Sequence, residues 1–188
     1  MFKRVLFARV GWSEKYDGAK SKAERPIGGG SHNKKHCGDE VHNFTKIDGR
    51  VYGFCQPAVN SKRGINLERV QPGWNEDILP DVLVVFGAVH PKEGRQRVVG
   101  WYRNATLYRF HQRSLLPSRK KLHYSAVTKV GKAVLLPVDR RDQRVPAGTG
   151  GIGQADICYL YKTDGRSKGL RWPHEIINRI ASHHRKDS

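Results

Sequence analysis

Arg97-Val98-Val99-Gly100-Trp101-Tyr102-Arg103-Asn104-Ala105-Thr106-Leu107-Tyr108-Arg109-Phe110 is the stretch whose reading decides the fold. It is rich in β-branched and aromatic residues and contains no proline, so it predicts one long strand. Strict alternation puts Val98, Gly100, Tyr102, Asn104, Thr106 and Tyr108 on one side. Val99, Trp101, Arg103, Ala105, Leu107 and Arg109 then face the other way. Just upstream, Val82 to Val89 is an unbroken apolar run dominated by valine, as suits a strand buried on both faces. Pro91 to Gly94 supplies the turn between the two.

Outward from this pair the chain reads mostly as short strands. Residues 2–10 form a first strand. Val41 to Phe44 and Arg50 to Gln56 flank Ile47-Asp48-Gly49, and Asp-Gly is a strong hairpin signal. Ile65 to Val70, Tyr124 to Thr128 and Lys132 to Leu136 are further strands. Trp172-Pro173 opens a C-terminal helix over about 172–185, with proline in its first turn and Ile176, Ile177, Ile180 and Ala181 as its apolar stripe. Residues 11–40 are a long basic loop with a short helix near Ser21 to Glu24. The whole is expected to be one α+β domain spanning 1–188: a curved, mostly antiparallel, barrel-like sheet with peripheral helices.

Charge bounds the function. Lys plus Arg number 35 against 17 Asp plus Glu, a formal net charge of +18. A folded domain this basic repels itself unless a polyanion neutralises it, and nucleic acid is the commonest such partner. No run of eighteen apolar residues exists to span a membrane. The opening Met1-Phe2-Lys3-Arg4-Val5-Leu6-Phe7 lacks the length and cleavage site of a signal peptide, so a cytoplasmic location is expected. Cys37, Cys55 and Cys158 are scattered and suggest neither a disulfide framework nor a zinc knuckle.

Two tryptophans each follow a glycine at the end of an apolar segment, in Gly11-Trp12 and Gly100-Trp101. Glycine permits close approach by a ligand or a second backbone, and indole faces stack on bases for about 1–3 kcal/mol each. Basic residues fall largely in loops and turns, with Lys34-Lys35, Lys62-Arg63, Arg140-Arg141 and the dense Arg119-Lys120-Lys121 as candidate phosphate contacts. The Gly-rich segment Gly148 to Gly153 lacks a following Gly-Lys-Ser/Thr and opens no βαβ unit, so it is not a nucleotide-binding loop. His32, His36, His42 and Asn43 do not have the spacing of a ββα-metal nuclease or of a zinc site. Pro80-Asp81 and Glu93 are not followed by Glu-x-Lys. No catalytic residue, metal or cofactor is therefore expected.

Val10-Gly11-Trp12, Gly28-Gly29-Gly30-Ser31, Val41-His42-Asn43-Phe44 and Tyr52-Gly53-Phe54-Cys55-Gln56-Pro57 together resemble an N-terminal module of bacterial modification-dependent restriction endonucleases. So do Val82 to Phe86, Val98 to Arg109, Leu135-Leu136-Pro137-Val138 and Gly150-Gly151-Ile152-Gly153-Gln154. The resemblance covers most of the chain and implies a PUA-like fold, similar to the EVE and YTH readers, with an HNH nuclease fused to it in the larger protein. It also implies a function: reading a modified, methylated base in double-stranded DNA by flipping it into an aromatic pocket. Trp12, Tyr16, Trp101, Tyr102 and Asn104 are the pocket residues so expected, with Lys34, Lys35, Lys62, Arg63, Arg119, Lys120 and Lys121 on the DNA backbone. An RNA-binding accessory protein of similar fold is the alternative, and a nuclease the second.

Overall fold

The computed structural model describes residues 2–19, 21, 24–28, 38–57, 64–115, 121–148, 150–153 and 157–186. Eight strands make one mixed sheet: β1 (Val5–Val10), β2 (Lys46–Ile47), β3 (Arg50–Gly53), β4 (Ile78–Val89), β5 (Gln96–Leu115), β6 (Lys121–Lys129), β7 (Ala133–Leu135) and β8 (Ile157–Tyr159). A C-terminal helix, α1 (Trp172–Lys186), follows. The strand order is β2-β3-β6-β5-β4-β1-β8, and β7 continues the place of β6 beside the start of β5. The β1–β4 pairing is parallel and the others are antiparallel. Strands β2 and β8 end the sheet, and among the described residues no pairing closes it into the expected barrel.

The two long strands form as the sequence predicts, but their alternation does not survive pairing. Val99 is an extra residue in β5, since Phe86 pairs Gly100 while Gly87 pairs Val98. Two further bulges face each other. Leu79 pairs Leu107 and Val82 pairs Ala105, which leaves Asp81 extra on β4. Val84 pairs Tyr102, which leaves Asn104 extra on β5. Both sit at positive φ, 57° for Asp81 and 49° for Asn104, the left-handed region that Asp and Asn tolerate best among non-glycine residues. The Asn104 amide donates to the Asp81 carboxylate at 2.8 Å and ties the bulges together. Each bulge inverts the phase of the side chains beyond it. Val99, Tyr102, Ala105 and Leu107 therefore share one core, whereas Val98 and Trp101 enter the other.

This assignment is testable. Asn104→Ala puts a β-carbon without a compensating side chain into the left-handed region and is expected to lower stability by about 1–2 kcal/mol. Asn104→Gly should lose less than half of that, because glycine adopts the same backbone freely. Equal losses in urea unfolding would show that the backbone conformation is not what asparagine provides there.

The sheet separates two apolar layers. On one face α1 buries Ile176, Ile177 and Ile180 against Val5 and Phe7 of β1, Leu83 and Val85 of β4, and Trp101 of β5. Each such side chain contributes about 1.5–3 kcal/mol. Trp172 anchors the helix start, edge-on to Phe7 at 4.7 Å and donating its indole N–H to the Gly150 carbonyl at 2.6 Å. The other face is covered by irregular segments carrying Trp12, Tyr16, Val41, Ile65, Leu67 and Val70. Two of these, Asp39–His42 and Leu67–Arg69, are 3-10 turns where strands were expected. The reason is visible in Leu67 and Val70, which are buried three apart, the repeat of a 3-10 turn rather than of a strand. The hairpin turn forms at Asp48 and Gly49, both at positive φ, but its first arm is Lys46–Ile47, pairing Val51 and Arg50, and not the expected Val41 to Phe44.

Candidate nucleic-acid interface

The segment Gly11 to Gly18 leaves the end of β1 and is held in place by polar groups that the core has swallowed. The Gly11 N–H donates to the Glu40 carboxylate at 3.0 Å, and the Tyr16 hydroxyl donates to the Gly11 carbonyl at 2.6 Å. Tyr16 itself has φ of 54° and is 1% exposed. Trp12 and Ile27 exchange backbone hydrogen bonds of 2.7 and 2.8 Å. The central device is Arg141, also 1% exposed. Its guanidinium donates to the carbonyls of Leu136, Ser13 and Glu14 at 2.9, 2.7 and 2.7 Å. It also lies over the Trp12 ring at 5.0 Å and the Tyr16 ring at 5.9 Å. A planar fork of donors suits three converging carbonyls, as an ammonium would not. Burial raises the pKa of the Tyr16 hydroxyl and lowers that of Arg141.

Clamped this way, the loop stands between two depressions that share Glu14, Lys15 and Asp17. The larger, about 690 Å³, has apolar walls from Phe44, Val51, Val130, Ala133, Leu135 and Pro137. Its rim carries Glu14, Asp17, Thr45, Lys15 and Lys46. The smaller, about 510 Å³, is bounded by Trp12, Ser13, Asp17, Ser21, Glu24, Arg25 and Ile27. Both fall in the size range of small-ligand sites, about 300–1,000 Å³. Apolar walls accept a methyl group or an aromatic ring, while carboxylates accept hydrogen bonds from exocyclic amines.

The five expected pocket residues do not converge. Trp12 and Tyr16 lie together, but one face of each ring is taken by Arg141, and His90 sits edge-on to Trp12 at 4.7 Å. Tyr102 is fully buried in the same core, where burial pushes its hydroxyl pKa up and leaves the oxygen without a hydrogen-bond partner. Trp101 is on the opposite face of the sheet beneath α1, 4% exposed and edge-on to His183 at 5.3 Å. Asn104 is exposed at its bulge. Of the expected phosphate contacts, Lys121 is exposed at the start of β6. Lys34, Lys35, Lys62, Arg63, Arg119 and Lys120 lie outside the described residues.

Sequence reasoning missed Phe44 and Asp17, and it placed Arg141 with Arg140 among the phosphate contacts, whereas Arg141 is buried. Phe44 is the one with a signal, an aromatic residue closing the Val41-His42-Asn43-Phe44 segment. Arg141 reads as one of a pair of solvated loop cations, because nothing local marks carbonyls 127 and 128 residues away as its acceptors.

Among the described residues, no three His, Cys, Asp or Glu side chains gather into a metal site, and no helix is long and apolar enough to cross a membrane. Cys55 and Cys158 are buried free thiols, and burial pushes Cys55 up to about 12, out of the nucleophilic range. The fold and the site define a basic α+β domain with a clamped loop between two cavities. No protein-family model, curated protein or solved structure matches the chain.

Proposed function

We propose that this domain binds double-stranded DNA and reads a methylated base flipped into the cavity walled by Phe44. The observation that carries the reading is that cavity: aromatic and aliphatic walls, two carboxylates and two lysines at the rim, in a chain of net charge +18. The walls receive the base and its methyl group, Glu14 or Asp17 accepts from the exocyclic amine, and the surrounding cations hold the phosphates. A PUA-like architecture belongs to this reading, with the bulges of β4 and β5 bending the sheet around the cavity. The domain then acts as a targeting module, and cleavage is the work of a fused nuclease.

Binding to matched duplexes, unmodified or carrying 6-methyladenine, 5-methylcytosine or 5-hydroxymethylcytosine, tests this over a salt series. One modified duplex is expected to bind at least tenfold tighter, about 1.4 kcal/mol. Phe44→Ala and Asp17→Asn should erase the difference, whereas Trp101→Phe, beneath the helix, should leave it intact. Equal affinity for all four duplexes, falling together with salt, would leave only a general polyanion surface and end the proposal.

A further inference from the structure

Helix α1 covers β8, β1, β4 and the start of β5, and no residue of β3 or β6 belongs to the core it forms. Over β3, β6 and the far half of β5, no helix covers this face among the described residues, and Ile47 and Leu122 form a small buried cluster of their own there with Tyr52 packed against it. There three tyrosines from three strands form a ladder. Tyr52 meets Tyr124 edge-on at 4.8 Å, and Tyr124 meets Tyr108 at 5.8 Å. Two residues beyond Tyr108, Phe110 is 47% exposed, and Ile78, paired opposite Tyr108, is 50% exposed.

Cations border the ladder. Arg50 and Lys129 are direct cross-strand partners, a like-charge pairing that destabilises a sheet left to itself. With Lys132, Asn104 and Thr106 they line a depression of about 410 Å³. None of the three cations has a carboxylate partner among the described residues. Half-buried tyrosines and an exposed phenylalanine beside mutually repelling cations fit a ligand that offers ring faces and negative charge together. A duplex keeps its ring faces inside the stack, whereas a single strand presents both.

We propose that the tyrosine ladder and the Arg50–Lys129–Lys132 group form a docking surface for single-stranded nucleic acid. Bases stack on Tyr108, Tyr124 and Phe110, and phosphates neutralise the cations. This surface is distinct from the base cavity: along β3, Val51 lines the cavity, while its neighbours Arg50 and Tyr52 face the ladder side. The inference stands whether or not the cavity reads a methylated base.

Fluorescence anisotropy of the full chain with labelled oligothymidylate and oligouridylate of ~12 nucleotides tests it. Both oligomers should bind, and the ratio of their affinities tells whether DNA or RNA is preferred. The Tyr108→Ala/Tyr124→Ala double variant should bind at least tenfold more weakly, with Tyr108→Phe/Tyr124→Phe close to the parent. Phe110→Ser, at an exposed position where folding is not at stake, should weaken binding several-fold. Arg50→Gln/Lys129→Gln should lower the salt slope by about 0.7 per charge removed. Phe44→Ala should leave single-strand binding intact, which separates failure here from failure of the base-reading proposal. Undiminished binding in the Phe110 and double-alanine variants, or binding of neither oligomer, would overturn the assignment; a surface that instead captures only a protein partner would do the same.

Discussion

Arg141→Met is expected to lower the stability of the domain by about 3–5 kcal/mol, the loss from removing charge-assisted hydrogen bonds at a buried site and leaving their acceptors unpaired. Methionine keeps the aliphatic stem, so the effect isolates the guanidinium. The three carbonyls it serves belong to Leu136, Ser13 and Glu14, which lie in two segments far apart in the chain. In urea the midpoint should fall while the slope m stays unchanged, because the surface exposed on unfolding is the same. Glu14 also lines both cavities, so release of the loop should erase any base discrimination that the larger cavity has. Arg141→Lys should recover only part of the stability, since an ammonium cannot reach three acceptors in one plane. A variant with a parental midpoint would show that the loop holds its own shape.

The second large effect is expected at Gly100. A β-carbon there would lie 2.5 Å from the Val134 carbonyl oxygen, 2.7 Å from Cζ of Phe44 and 3.2 Å from Cα of Leu135. Val134 and Leu135 are backbone-paired to β5 in β7 and cannot retreat without breaking that pairing. Gly100→Ala should therefore cost about 3 kcal/mol as overpacking, a fall in Tm of roughly 6–12 °C for a domain of this size. Phe44 is the one flexible neighbour, and it is the aromatic wall of the larger cavity. Binding should suffer beyond the stability loss when measured well below Tm. A Tm within 2 °C of the parent, on the same conversion, would mean that β7 moves freely against β5.

Gly100 also shows which of the two approaches that a Gly-Trp pair permits, by a ligand or by a second backbone, is realised on this strand. The Gly-Trp pair was rightly a site of close approach, but what approaches is the chain itself: the strand after the Val130–Lys132 turn and the Phe44 ring. At Trp12, likewise, one face of the ring is already occupied from within the chain, by Arg141. A sequence records that a residue tolerates a near neighbour or offers a π-face, and does not record which neighbour arrives.

What the sequence by itself determined was what depends on local pattern and on composition. The apolar run at Val82 to Val89, the long strand after it, the Asp48-Gly49 hairpin and the helix opening at Trp172-Pro173 all stand. Each is dictated by residues within a few positions of one another. The charge excess is likewise a property of the chain alone. Tertiary structure alone decided which way side chains point and what they meet. The two bulges on β5, at Val99 and Asn104, inverted its phase, so that Val99 joins Tyr102 in one core while Val98 joins Trp101 under α1, and Thr106 and Tyr108 fall on the face opposite Tyr102. Bulges arise from the register between two strands, so no single strand announces them. Arg141 became a buried clamp, and Tyr52, Tyr124 and Tyr108 became neighbours, only when segments dozens of residues apart were brought together. Period and propensity act through adjacent bonds, whereas cavities, clamps and ladders exist only between segments.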